Sequence, residues 1–160
     1  MATLNYSTNI PVARTVGEVQ GLLAEHGADA IAVSYRDKVP VGITFTLAGP
    51  GGGRAFSLPV NVDGVHQVLA EQHRTGKIKS HVSKAAVTSP EQAARVAWRV
   101  LKDWVEAQLA IIEASMATLE QVMLPYLRVD GEITLYEAYA AHGRRALTAG
   151  QDPAEREAGR

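Results

Sequence analysis

Residues His73–Lys84 (HRTGKIKSHVSK) hold four Lys/Arg and two His with no acid among them. Arg95, Arg99 and Lys102 follow at spacings of four and three, which places them in one row of a helix. Across residues 72–102, Arg74, Lys77, Lys79, Lys84, Arg95, Arg99 and Lys102 stand against a single acid, Glu91. Residues 103–139 reverse the bias, with Asp103, Glu106, Glu113, Glu120, Asp130, Glu132 and Glu137 against Arg128. Clustered ammonium and guanidinium groups attract phosphates and acidic surfaces. The expected anion- or nucleic-acid-binding set is therefore Arg74, Lys77, Lys79, His81, Lys84, Arg95, Arg99 and Lys102. The competing reading is a solvated loop whose charge is balanced by the acidic half of the same molecule or of a neighbouring subunit. No Phe, Tyr or Trp lies in His73–Lys84, so aromatic stacking on bases is not part of the first reading.

Other candidate chemistry is sparse. Gly49-Pro50-Gly51-Gly52-Gly53 with Arg54 has the composition of a phosphate cradle, but it joins two strands and lacks a Lys-Ser/Thr ending, so a hairpin loop is the simpler reading. His26, His66, His73, His81 and His142 form neither a His-x3-His nor a Glu-x-x-His pair, and no metal site is expected. Glu132 and Glu137 flank a turn and a helix cap, with no second catalytic carboxylate to join them. Gly-x-Ser-x-Gly is absent. No catalytic residue, no cofactor and no enzymatic activity are expected. Trp98 and Trp104 fall on an apolar helix face, which favours core packing over a stacking platform.

The elements that must position these groups centre on Pro90–Ala117, predicted as one helix of roughly 40 Å. Ser89 is its N-cap, Pro90 its first residue, and Gln92 completes a capping-box pattern. Trp98, Leu101, Val105, Leu109, Ile112 and Met116 make one apolar row, and Ala97, Val100, Trp104, Ala107 and Ile111 a second. A face that wide calls for burial on two sides. The opposite row, with Arg95, Arg99, Lys102, Asp103, Glu106 and Glu113, is expected to be exposed, with Arg99–Asp103 and Lys102–Glu106 pairs. Exchanging Arg95, Arg99 and Lys102 for Glu should on that reading spare the fold.

Upstream, Met1–Val12 reads as an extended lead-in. Thr15 and Glu18 read as the capping box of a helix that Gly27 ends. Ala30–Arg36, Val41–Leu47 and Ala55–Val60 follow as strands of an antiparallel meander, the second alternating Val41, Ile43, Phe45, Leu47 with Gly42, Thr44, Thr46. Val62–His73 is a helix capped by Asn61. Arg74–Thr88 reads as a loop, with at most a short strand. Thr118 with Gln121, and Thr134 with Glu137, cap short helices on either side of an Asp130-Gly131 turn. The fold class is α+β, a three-stranded antiparallel β-meander packed against a long α-helix plus shorter helices. Residues 1–143 form a single domain, and the polar tail 144–160 is expected to be disordered.

The 160 residues contain no cysteine, so disulfides, thiolate metal sites and a cysteine nucleophile are excluded within them. Met1–Ile10 lacks an apolar secretory core, and no apolar run approaches a membrane span. A cytoplasmic site and no membrane partner are the expectation.

Ile10-Pro11-Val12, Phe56-Ser57-Leu58-Pro59, the stretch from Gln92 to Gln108 (QAARVAWRVLKDWVEAQ) and Leu124-Pro125-Tyr126-Leu127 resemble small uncharacterised proteins encoded by tailed bacteriophages and prophages. The resemblance extends to about Tyr139 and brings no catalytic residue with it. It implies action in the cytoplasm of a host bacterium, either on nucleic acid during replication or recombination or against host defence. Charge bias and resemblance together lead to the expectation of a non-enzymatic phage-encoded accessory protein that binds nucleic acid or another polyanion through His73–Lys102. The alternative is a host-defence inhibitor acting by protein–protein contact or by sequestering a nucleotide signal in an oligomer. The expected partners are nucleic acid or a nucleotide, a host protein, and further copies of the chain, since wide apolar faces are often buried between subunits.

Overall fold

A computed structural model of the chain describes residues 1–49, 52–78, 83–129 and 131–143. Lys79, His81, Asp130 and the tail 144–160 lie outside the described residues, as do Pro50 and Gly51 of the glycine-rich loop. The chain runs α1 (Val12–Glu25), β1 (Ala28–Arg36), β2 (Val39–Leu47), β3 (Arg54–Pro59), α2 (Val62–Arg74), α3 (Lys84–Val87), α4 (Pro90–Glu113) and α5 (Leu119–Met123). A 3-10 turn at Leu124–Tyr126, β4 (Arg128–Val129), β5 (Ile133–Thr134), α6 (Leu135–Ala138) and a π-turn at Tyr139–Gly143 complete it. The fold is α+β, and its main sheet is an antiparallel meander in the order β1-β2-β3.

Alternation along β2 decides which face of the sheet is covered. Ile43 and Phe45 point inward opposite Leu58 and Phe56 of β3, and the two phenylalanine rings stack at 5.3 Å. Val16, Val19 and Leu23 of α1, Trp98, Val105 and Leu109 of α4, and Met123 of α5 close that side. The other flank of α4 packs Ala93 and Val96 on Leu69, Ile78 and Val87. The wide apolar face of α4 is thus buried on two sides, by the sheet with α1 and by α2 with α3. Trp98 is fully buried and donates its indole N–H to the carbonyl of Pro40 at 2.9 Å, which fixes the helix against β2.

Gln92 supports α4 in a different way than its spacing predicts. Ser89 Oγ accepts from the Gln92 backbone N–H at 3.1 Å, but the Gln92 side chain does not return to the cap. It is buried and donates to the carbonyls of Tyr6 and Thr8, both at 2.9 Å. Asn5 donates to Asp103 at 2.7 Å, and Gln72 accepts from Thr3 at 2.8 Å. Residues 1–11 are therefore a strap bound to α2 and α4 rather than a loose lead-in.

The strands and α2 shift by one or two residues at their ends from the sequence reading, and three differences are larger. α1 begins at Val12 behind Pro11, so Thr15 lies inside the helix with a buried, unpartnered hydroxyl instead of capping it. The Arg74–Thr88 loop contains α3, capped by the Ser83 side chain, and buries Ile78 and Val87 in the core. α4 stops at Glu113 rather than Ala117. Ser115 adopts φ 56°, the Met116 N–H reaches the Ile111 carbonyl at 3.0 Å, and the Ser115 N–H reaches Ile112 at 2.9 Å. That is a Schellman closure with serine where glycine is the usual residue.

The Asn61, Thr118 and Thr134 caps form where the spacing places them, the last two as complete capping boxes. His26 follows α1 and clamps it to α4. One ring nitrogen meets the Leu22 carbonyl at 2.7 Å and the other meets Glu113 Oε1 at 2.8 Å. Both partners are acceptors, so the doubly protonated imidazolium fits best. The Leu22 carbonyl first, then Glu113, raises the His26 pKa above the ordinary imidazole value.

Ser115→Gly removes a left-handed strain at the αL position and should stabilise the protein by about 0.5–1 kcal/mol in denaturant titration. The stability contributed by His26 is fully present below the ordinary imidazole pKa and is lost as pH rises through the raised folded-state value. Thermal melts between about pH 5.5 and about pH 8.5 should therefore show the wild type losing its advantage over His26→Gln as pH rises.

Candidate functional site

The described members of the basic set differ in what they touch. Arg74 ends α2 and forms a two-point pair with Glu71, Nε to Oε2 at 2.8 Å and Nη2 to Oε1 at 2.6 Å. Lys77 and Lys84 are exposed, the first in the turn after α2 and the second opening α3. Arg99 is ion-paired with Glu18 of α1, and its side chain is only 14% exposed. The Arg99 hydrogen bond is the main reason that the Glu18 carboxyl lies below the usual carboxylate range, and Arg14, 3.2 Å away, adds to it. Lys102 pairs with Glu106 at 2.6 Å and is 15% exposed.

The row expected to be an exposed cation stripe is therefore largely covered, and two of its charges are spent on carboxylates. The physical reason is α1, which packs on α4 and brings Glu18 to a position that the sequence of α4 alone does not reveal. The expected Arg99–Asp103 pair does not form, because Arg99 turns to Glu18 and Asp103 takes the Asn5 amide. The Lys102–Glu106 pair does form.

Arg95 is placed differently. Its Nη1 donates to Gln92 Oε1 at 3.1 Å, and the side chain lines a cleft of about 860 Å³. The N-terminal ends of α1, α2 and α4 meet the β1–β2 turn there. Pro11, Pro40, Pro59 and Pro90 with Val39, Val41, Val60 and Val62 form apolar walls. Arg36, Lys38 and Arg95 supply positive charge, and Asp37, Asp63 and Glu91 negative charge. Asp63 and Glu91 each occupy the first turn of a helix, where the exposed N–H groups offset a carboxylate. No carboxylate of the described residues makes a salt bridge with Arg36, Lys38 or Arg95.

Asp37 and Lys38 form the two-residue β1–β2 turn, with φ of 49° and 66°. Positive φ at both positions suits a type I′ hairpin, for which Asn-Gly is the favoured pair. Lysine at the second position is strained. The sequence shows the turn but not the left-handed lysine or its place beside α4. Of the described members of the predicted set, only Arg95 reaches this cleft.

The remaining candidates have structural partners. Arg54 pairs with Glu120 at 2.9 Å, and His66 donates from Nε2 to the Thr88 carbonyl at 2.7 Å. Trp104 stands edge-on to Tyr126 with ring centres 5.4 Å apart. A second cleft, of about 650 Å³, lies between the outer face of the sheet and the β4–β5 hairpin. Its Glu137 carboxylate accepts from the Thr134 N–H at 2.7 Å, and that bond holds its pKa below the usual range. Among the described residues, no three His, Asp or Glu side chains converge as metal ligands, and no helix is long and apolar enough to cross a membrane. Compared with known proteins, the chain matches no family model, no curated protein and no solved structure.

The ion pairs separate members of the basic set by their effect on folding. Arg99→Glu places like charges together at Glu18 in a mostly covered position and should cost about 1–3 kcal/mol. Arg95→Glu, half-buried beside the cleft, loses only the hydrogen bond to Gln92 Oε1 and should cost less, about 0.5–1 kcal/mol. Urea denaturation of the two single variants checks the contrast.

Proposed function

We propose that the protein is a non-enzymatic binding protein that holds a small phosphate-bearing ligand, of nucleotide size, between Lys38 and Arg95. The observation that carries this reading is Lys38 itself. A strained, left-handed lysine stands where glycine or asparagine would be easier, on the rim of a cleft of about 860 Å³, facing no salt-bridging carboxylate among the described residues. Strained backbone of this kind gathers at binding sites. The volume falls in the range of small-ligand pockets, and apolar walls with a few convergent polar groups are their usual make-up. The valine and proline walls suit a base or another flat apolar group, and the two cations suit its phosphate.

This reading favours sequestration of a nucleotide over the coating of a nucleic acid, since Arg74, Arg99 and Lys102 are already held by carboxylates. The resemblance to phage proteins supplies a setting, in which the nucleotide is a signal of the host's defence.

Calorimetry against nucleoside phosphates and cyclic mono- and dinucleotides, with short DNA and RNA at about 50 mM salt as the comparison, tests the reading. Binding of a nucleotide should weaken at least about tenfold in Arg95→Glu. Lys38→Gly should weaken it too while raising stability by about 0.5–1 kcal/mol, because glycine relieves the turn. No nucleotide binding at millimolar ligand, or binding that survives both changes, would overturn the proposal. Loss of DNA or RNA binding on Lys77→Glu or Lys84→Glu alone would move the site back to the α2–α3 segment.

A further inference from the structure

The cleft at Lys38 and Arg95 shares a wall with a neighbour. Pro59, Val60 and Asn61 line it, and the same three residues border a smaller cleft of about 290 Å³. Across the smaller cleft stand Val100, Leu101 and Trp104 of α4, with Tyr126 from the 3-10 turn. Ala94 lines the larger cleft, and Ala97, Leu101 and Trp104 line the smaller one. Spacings of three, four and three put these four residues in one row of α4. The two clefts therefore follow one another along a single face of the helix.

Their linings differ in charge. Arg36, Lys38 and Arg95 line the larger cleft, whereas no charged side chain of the described residues lines the smaller one. Trp104 and Tyr126 are partly buried there and meet edge to face at 71°. Such a pair, unlike a stacked one, leaves most of the ring surface free for another flat group. Trp98 offers no such surface, being fully buried with its N–H bonded to the Pro40 carbonyl. At the shared wall, Asn61 spends its side-chain oxygen on the Gly64 N–H at 2.8 Å, which leaves its amino group as a donor. An apolar slot with aromatic faces and one amide donor suits a heterocyclic base. Its volume, at the lower end of small-ligand pockets, suits one ring system rather than a whole ligand.

On the reading of the larger cleft as a nucleotide site, which this inference requires, we infer that the ligand is a dinucleotide, two nucleosides joined through phosphate. One base takes the valine and proline walls, the joining phosphate meets Lys38 and Arg95, and the second base crosses Val60 to stack at Trp104. At about 1.5 Å of rise per residue, Arg95 and Trp104 stand about 14 Å apart along the axis of α4. A mononucleotide with its base on the first walls leaves the indole uncovered, and a second nucleoside covers it. The smaller cleft holds no cation among the described residues, so it takes a base and not a further phosphate.

Calorimetry and tryptophan fluorescence on the full chain test the inference, with circular dichroism to verify that each variant is folded. The probes are a cyclic 3′–5′ dinucleotide, a linear 3′–5′ dinucleotide, a 5′–5′ pyrophosphate-linked dinucleotide and the matching nucleoside monophosphates. At least one dinucleotide should bind at least about tenfold more tightly than its mononucleotide, and the one that does identifies the linkage. It should quench the emission of the wild type, and Trp104→Phe should abolish that quenching. Trp104→Ala should bring dinucleotide affinity down to that of the mononucleotide. Val100→Phe, which fills the smaller cleft from its wall, should do the same with Trp104 in place. Mononucleotides that bind as tightly as every dinucleotide would overturn the inference and leave the larger cleft as a nucleotide site. So would a dinucleotide advantage that survives both Trp104→Ala and Val100→Phe. Absence of binding by every probe would instead overturn the reading of the larger cleft, and this inference with it.

Discussion

Two-sided burial of α4 is the constraint from which the rest of the structure follows. A helix with more than half its circumference apolar cannot rest on a single layer. The sheet and α1 take one flank, and α2 with α3 takes the other. Trp98 sets the register between them, because burying an indole requires a partner for its N–H, and the Pro40 carbonyl is that partner. Gln92 imposes a similar demand. Its buried amide is satisfied by two carbonyls of the N-terminal strap, so residues 1–11 are laid along the helix. An unmet buried amide would cost about 1–3 kcal/mol, which makes the strap part of the core rather than an appendage.

The same packing decides the electrostatics. Charges counted along the chain divide it into a basic and an acidic half. Charges counted in space do not divide that way. Glu18 comes from the first helix and meets Arg99, Glu71 closes on Arg74 within one turn of α2, and Glu113 bonds His26 across two helix ends. Once these pairs are drawn, the cations that line the cleft at the helix ends are Arg36 and Lys38, from outside the basic segment, and Arg95, from within it.

Much of the architecture is legible in the sequence because it rests on local rules. Ser89, Asn61, Thr118 and Thr134 cap the helices that their spacing marks, and β2 turns its alternating Ile43 and Phe45 to the core. What is not legible depends on contacts between distant segments or on an uncommon conformation. Thr15-x-x-Glu18 matches a capping box, yet Pro11 starts the helix earlier, and Glu18 is drawn to Arg99. Ser115 ends α4 in a conformation that a glycine would have announced. The strap has no periodicity to betray it, since its bonds run to Gln72, Gln92 and Asp103 far along the chain. At the cleft, Arg95 stands out by charge and spacing, whereas Lys38 looks like an ordinary turn residue until its φ and its neighbours are known.

Core and cleft are mechanically linked through two residues. The Asp37–Lys38 turn is strained, and strain persists only where the surroundings over-determine the conformation. Here the β1–β2 ladder fixes one side of the turn through the Arg36–Val39 and Tyr35–Pro40 pairs. The Trp98 indole fixes the other by holding the Pro40 carbonyl, two residues beyond Lys38. Arg95 extends from the same helix as Trp98, one turn earlier, and Gln92 steadies its guanidinium. The backbone segments that carry the two cations are therefore held relative to each other by the tryptophan that builds the core.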